Sequence, residues 1–494
     1  MDHFHVPGLA VAVFDATTID ALAFGHASLD PPIPTTPGTI FDCASTSKSL
    51  TAAAVGKLTE QHPHISWATS VTALSPGIFV LPSADITLED ILSHRSGMPR
   101  HDESCLGVHS ATPDTPRSVT ANLQRLVTSA APRTRFQYCN LMYTAASHVV
   151  EAVSGVPFAE FLRENFFAPL GMHDTHVQPS AVLAAGLEAR FAVPYAWDDD
   201  EDGDDSSDKE REEKGRYRSL ARLEQPEGQG AGSVQSTVRD FARWAQAVMV
   251  RGQAGASGEG VLSERTFAAL VAPRVVVEPS ATEEGDEERL APLTSHRLYA
   301  LGWEVESYRG RRIVRHDGCV NGFGSLVLFL PALQFGLVVF GNATRAADLA
   351  PVLAMEVVDV ALGVRDERVD WLAWVEGGGG EGERGGEAEG GAVAKDPERG
   401  WYRNAGYHDV VVEVRDGELF IDATDRSMPF WINFEHLAED RKFVAHLKDD
   451  EGEFALLAAE FRLDEAGEVC SLGIAFVQEM DNYLVWFERT EEPT

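Results

Sequence analysis

The sequence predicts a mixed α/β (α+β) fold in which an antiparallel sheet is flanked by helices and interrupted by an inserted all-helical domain, with an antiparallel β-barrel following it. Three observations predict this. Strand-like apolar runs lie at both ends of the first 362 residues, with helical patterns between them. Residues 376–400 hold ten glycines and almost no large apolar side chain. Beyond them, short alternating segments recur at a spacing of about 8–12 residues, the pattern of a small barrel or sandwich.

Taken in order, apolar runs at Leu9–Phe14 and Ala21–Phe24 read as strands, and the Pro- and Thr-rich stretch 31–39 as a loop. A helix is expected from about Ser45 to Gln61, where an Ala-rich stretch carries no breaker. Helical patterns follow near 117–130, 141–153, 158–166 and 236–250, the last with Ser236 or Thr237 as its cap and Asp240 in its first turn. Strands return at Tyr299–Ser307, Arg311–Arg315, Gly324–Phe329 and Phe335–Phe340, and a helix from about Ala350 to Leu362 follows. The tail offers strands at Val410–Arg415, Glu418–Ala423, Phe430–Phe434, Lys442–His446, Glu453–Leu463, Val469–Phe476 and Tyr483–Phe487. A length of 494 residues fits two or three domains, divided here as 1–375, a linker at 376–400 and a barrel domain at 401–494.

The formal net charge of −36 disfavours nucleic acid as a partner. The stretches 198–214, 278–290 and 376–400 carry −8, −5 and −4, so −17 of that charge sits in segments that read as solvated loops. No apolar run of spanning length and no basic, apolar leader are present, so no membrane is expected and a cytoplasmic protein is. Cys43, Cys105, Cys139, Cys319 and Cys470 form no pairing pattern and read as free thiols. Neither a CxxC pair nor an HExxH motif occurs, so no metal and no cofactor is expected.

Three short motifs carry chemistry. In Ser45-Thr46-Ser47-Lys48, serine and lysine lie one turn apart on a helix face. A helix start favours negative charge at Ser45, and a buried lysine has a lowered pKa that lets it accept a proton. The same spacing at Ser206-Ser207-Asp208-Lys209 lies in a charged run without apolar surroundings and reads as coincidence. In Tyr138-Cys139-Asn140, a tyrosine beside a lysine ammonium is expected to ionise more easily and act as a base, or else to pack as a core tyrosine. Asn140 offers both a donor and an acceptor to a substrate amide. His316-Asp317-Gly318-Cys319 follows a strand and is glycine-rich, as a backbone that receives substrate or an ordinary turn would be. No Gly-x-Ser-x-Gly elbow is present, and His94 in Leu92-Ser93-His94-Arg95-Ser96-Gly97 defines no triad order.

In this order the three motifs resemble the serine β-lactamase and penicillin-binding-protein family, including class C β-lactamases, peptidases of the S12 type and D-aminopeptidase-like esterases and acyltransferases. Ser45/Lys48, Tyr138/Asn140 and His316/Gly318 match its pattern. The run His5–Val13 is similar to its first strand, and Thr87–Met98, Pro169–Met172 and Gly232–Thr237 to further landmarks, so the likeness covers about residues 5–362. It implies a β-lactamase/transpeptidase-like fold with Ser45 as nucleophile and Lys48 and Tyr138 as proton carriers. It further implies substrate contacts at Asn140, His316, Gly318 and Cys319, with the N–H groups of Ser45 and Cys319 as oxyanion donors. The tail is similar to the lipocalin-like barrels of D-aminopeptidase-like members. His316 stands where lactamases carry lysine, which favours peptidase, esterase or transferase chemistry, and Asp317 adds a charge suited either to an amine-bearing substrate or to solvent. The chain also begins almost at the first strand. The implied activity is hydrolysis of a small amide or ester through an acyl-enzyme. The alternatives are an acyltransferase or thioesterase of secondary metabolism and a non-catalytic ligand-binding or scaffold member.

Overall fold

In the computed structural model, which describes residues 1–81, 85–198, 215–250, 260–277, 293–378, 397–437, 441–480 and 483–492, apolar runs from both ends of the first part pair into one sheet. Its strands are β1 (Gly8–Asp15), β2 (Ile19–Leu29), β3 (Pro32–Pro34), β4 (Val275–Val276), β5 (Leu298–Tyr299), β6 (Glu304–Tyr308), β7 (Arg311–Val320), β8 (Phe323–Leu330) and β9 (Phe335–Gly341). They lie in the order β3-β2-β1-β9-β8-β7-β6-β5-β4. The join between the two ends is the antiparallel pair β1/β9, in register from Leu9↔Gly341 to Asp15↔Phe335. The acidic stretches centred on 206 and 284, and most of the glycine-rich stretch, lie outside the described residues.

Alternate residues of β9 serve two cores, because neighbours on a strand face opposite ways. Val338 and Phe340 pack toward helix α3 (Val238–Met249), while Leu337 and Val339 pack toward helix α4 (Ala346–Leu362). With both faces covered, every position of β8 is buried. Thr237 caps α3 by accepting from the Asp240 N–H at 3.1 Å. Helix α4 starts at Ala346, four residues before the expected start, and carries Pro351 inside it.

The inserted helices surround α1 (Lys48–Gln61), whose Ala-rich stretch is buried on every side. Beside it runs α2 (Asn140–Ser154), closed by Gly155 in the left-handed region.

One expectation about the sheet is corrected. The third motif is neither turn nor strand end: β7 continues through it to Val320, with Gly318 opposite Ser325 and Cys319 opposite Gly324. The turn lies at Asn321-Gly322, whose φ values of 25° and 72° suit a two-residue hairpin.

The tail forms a closed eight-stranded barrel of β10 (Gly400–Asn404), β11 (His408–Arg415), β12 (Glu418–Ala423), β13 (Phe430–His436), β14 (Lys442–Asp449), β15 (Gly452–Leu463), β16 (Val469–Ile474) and β17 (Val485–Thr490). β10, which sequence pattern missed, closes it by pairing with both β11 and β17. Phe434, Phe443 and Phe461 meet one another across the interior. Backbone bonds tie the barrel to the helical part. Gly107 N–H donates to Asp425 O at 2.8 Å, and Ser427 N–H to Cys105 O at 2.9 Å.

Phe434, 2% exposed, is a core residue of the barrel, whereas Trp431 lies half-buried on its outer face. Phe434→Ala should therefore cost about 3–5 kcal/mol of barrel stability and Trp431→Ala far less. Denaturant melts followed by tryptophan fluorescence check this, and equal losses would contradict the assignment of faces.

Candidate active site

The serine sits on a turn that its neighbours force into shape. Asp42, buried on a short strand, accepts from Ala44 N–H at 2.7 Å and from Gln235 Nε2 at 2.7 Å. These bonds hold Ala44 at φ 45°, a left-handed conformation that alanine seldom adopts. The tight turn Ala44–Ser47 then leads directly into α1, so Ser45 stands at a helix start and Lys48 opens the helix one turn on.

Lys48 is fully buried. Its Nζ lies 3.0 Å from Ser45 Oγ and donates to Ala231 O at 2.7 Å. It also lies 4.8 Å from the centre of the Tyr138 ring. Burial, then the Arg100 guanidinium, push its pKa down to about 7 against the opposing pull of Asp102, Cys139 and Asp317. A neutral amine beside a serine hydroxyl is a general base in hydrogen-bond reach of the proton it would take.

Of the two sequence readings of Tyr138, easier ionisation is the one its surroundings oppose. Burial raises its pKa well above the ordinary range, and its contacts with Ser45 and Arg100 only partly offset this. The surroundings of Tyr138 thus favour the protonated phenol over a phenolate. His94 stacks on it with ring centres 4.2 Å apart and accepts the Cys139 N–H on Nδ1 at 3.1 Å. Burial, then Lys48, keep His94 neutral.

Asn140 is the first residue of α2, and its Nδ2 donates to both oxygens of Asp102 at 3.2 and 3.1 Å. His316 is enclosed: Nδ1 lies 2.6 Å from Asp317 O and Nε2 2.9 Å from Tyr299 Oη. A carbonyl only accepts, so Nδ1 carries the proton and Nε2 accepts from Tyr299. Both ring nitrogens are thus engaged within the protein, and burial lowers the pKa to about 4. Gly318 lies against the serine turn; a Cβ there would come 2.6 Å from Ser45 N and 2.9 Å from Ala44 Cβ, so only glycine lets β7 and the turn meet. Cys319 follows on the cleft wall with its side chain exposed. Asp317, half-exposed at the rim, is paired with Arg315 at 3.1 Å. Burial pushes its pKa up, but Arg315 and His316 bring it below the usual range.

Ser45, Tyr138, Asn140, His316, Asp317, Gly318 and Cys319 line one cleft of about 460 Å³. Three groups in or on it carried no sequence signal: Arg100 and Asp102, which follow the Gly97-Met98-Pro99 turn, and Glu227, which is fully buried beside Ser427 with its pKa raised by burial. The barrel also reaches the cleft, through Ser427 and Met428. Among the described residues no group of three His, Cys, Asp or Glu side chains is arranged to hold a metal ion, and no helix is long and apolar enough to cross a membrane.

A family model described as Beta-lactamase matches residues 1–362. The chain belongs to the beta-lactamase family of serine hydrolases. A second model, a domain of unknown function (DUF3471), matches residues 399–489. The chain is 30% identical to an unguisins hydrolase of Aspergillus campestris over 99% of its own length and 90% of that protein's. It is 32% identical to an unguisins hydrolase of Aspergillus violaceofuscus over 74% of its own length and 64% of that one's. In fold it is similar to the octameric penicillin-binding protein homologue from Pyrococcus abyssi, with TM-score 0.61 and 20% identity over 98% of this chain and 97% of the other.

The His316 assignment is directly testable. Imidazole NMR should show a single neutral Nδ1–H tautomer that does not titrate between about pH 8 and 5. A midpoint above about pH 6 would mean that the bonds to Tyr299 and Asp317 are not as described.

Proposed function

We propose that Ser45 is the nucleophile of a hydrolase that opens a small-molecule amide or ester through an acyl-enzyme. The observation that carries this reading is the 3.0 Å approach of a fully buried Lys48 amine to Ser45 Oγ. Neutral Lys48 takes the serine proton as Oγ attacks the carbonyl carbon, and the ammonium so formed keeps its bond to Ala231 O. The Tyr138 hydroxyl, beside Ser45, relays a proton to the departing nitrogen or oxygen. The N–H groups of Ser45 and Cys319 face the developing oxyanion, a term of about 3–4 kcal/mol per donor. Water then attacks the acyl carbon with Lys48 again as base, and Ser45 is restored.

Asn140, held by Asp102, presents its carbonyl to a substrate N–H. Met428 narrows the acyl side of the cleft, and Glu227 offers a buried acceptor to a donor or cation on the substrate. The likeness to the two unguisins hydrolases makes compounds of the unguisin class the first substrates to try.

Ser45→Ala should abolish turnover and labelling by a fluorophosphonate probe with the fold intact, whereas Ser206→Ala should change neither. Labelling that survives Ser45→Ala refutes the nucleophile. The acylation rate should rise with pH through a midpoint near 7, because Lys48 is inactive when charged below that pH and active when neutral above it. Lys48→Arg, charged at every accessible pH, should lose this limb together with the activity. A wild-type rate independent of pH from about 5 to 9 would argue against the lysine base. Met428→Ala should raise the rate on bulky esters relative to small ones by severalfold, and unchanged selectivity would show that the barrel loop does not shape the acyl site.

A further inference from the structure

One short segment, Arg100–Glu103, touches the cleft and the barrel at once. Two of its residues face the cleft. The Arg100 guanidinium lies 4.6 Å from the centre of the Tyr138 ring. Asp102 receives the Asn140 amide at 3.1 Å and lies 3.5 Å from Arg100 Nη1. The residue between them faces the barrel: His101, fully buried, has Nδ1 2.6 Å from Tyr407 Oη and Nε2 2.9 Å from Val127 O. Because the Val127 carbonyl can only accept, Nε2 carries the proton and Nδ1 accepts from the tyrosine hydroxyl. The Arg100 N–H also points to Glu479 of the barrel part at 3.4 Å.

Tyr407 is itself firmly placed. It sits on the turn between β10 and β11, where the Asn404 side chain accepts its N–H at 2.9 Å and that of Gly406 at 2.7 Å. Its ring stacks on Phe476 at 5.4 Å, and Asn122 Nδ2 of the helical part donates to Gly406 O at 2.7 Å. The turn is therefore fixed both to the barrel core and to the helices beside the cleft.

We propose that Tyr407 is a positioning residue for the reaction: through His101 it fixes the Arg100–Glu103 segment, and so sets where Arg100 and Asp102 stand against Tyr138 and Asn140. The inference rests on Lys48 acting as the base toward Ser45. Lys48 is faced by Ser45 on its own turn, by Arg100 and Asp102 from this segment, and by Tyr138, Cys139 and Tyr143 at the start of α2. His94, and His316 and Asp317 from β7, complete its surroundings. Arg100 is the strongest charge holding the amine neutral, so freeing it lets the lysine keep its proton to higher pH.

The test uses the full chain, a fluorophosphonate probe and a p-nitrophenyl ester. Tyr407→Phe keeps the ring and its stacking and removes only the hydroxyl. It should lower kcat on the order of tenfold at pH 7 with KM little changed, and move the ascending limb of the pH–rate profile up by about 0.5 pH unit or more. Arg100→Gln should move the limb the same way, and the double variant should move it no further. If Tyr407→Phe does not fold, His101→Leu serves instead, since it fills much of the ring's space and drops the acceptor for Tyr407. A Tyr407→Phe profile that overlays the wild type while Arg100→Gln shifts, or shifts that simply add, overturns the proposal. A wild type that shows no serine-dependent labelling brings down the nucleophile reading itself, and this inference with it.

Discussion

A fully buried amine with no ion-pair partner among the described residues cannot hold its charge at little cost, and the site is organised around that constraint. Lys48 reaches this state because α1 starts inside the protein. The turn before it is locked by Asp42, α2 and the Ala231 carbonyl close two sides, and β7 closes the third at Gly318. Each closure needs a particular residue. A side chain at 318 would push β7 from the serine turn, admit water and return the lysine to its ordinary charged state.

The same enclosure treats the neighbouring groups alike. It lowers Lys48, His94 and His316, raises Tyr138, and pushes Cys139 up to about 12. His94, His316, Tyr138 and Cys139 are uncharged near neutrality and Lys48 is about half neutral there, while the pairs Arg100/Asp102 and Arg315/Asp317 carry charge beside them. In the proposed mechanism a proton moving from serine to neutral Lys48 creates an ammonium in this interior, where it interacts strongly with the developing oxyanion. A phenolate at Tyr138 would place a second buried charge next to the first, which is why burial prevails over the lysine field that the sequence alone emphasised.

How far the site was legible follows from the range of the interactions. Ser45 and Lys48 share one helical turn, and Tyr138 and Asn140 one helix start, so local geometry places each pair. Gly318 reads in the sequence as a place where substrate lies against the backbone or as part of a turn, whereas the structure sets it against the serine turn. Tyr299 enters from a segment whose strand pattern is legible but says nothing of its bond to His316, and Arg100, Asp102 and Glu227 enter by tertiary packing from segments with no periodic or motif signal. The third motif looked like a turn because glycine and aspartate favour turns, yet the ladder to β8 continues through it and the Asn321-Gly322 pair takes the turn instead. β10 was missed for a related reason: Gly400 to Asn404 has no alternation strong enough to mark a strand until both neighbours in the barrel supply partners.

The barrel's contribution has to come from its outside. Its interior is filled by Phe434, Phe443, Phe461 and Phe487 with their aliphatic neighbours, so aromatic packing takes the space in which a ligand cup would lie. A closed barrel has no free edge, and its loops emerge from a stiff body at fixed separations. Two of them, at Asn404–His408 and Thr424–Met428, meet the same stretch of the helical part: Tyr407 meets His101, and Ser427 meets Cys105 only four residues later. A rigid mount gripping one short segment at two points fixes that segment's position and orientation together, which a single contact would not. Because Arg100 and Asp102 stand at one end of the segment and Met428 lines the cleft beside the other, the barrel's placement governs both the electrostatics at the lysine and the room left for the acyl group.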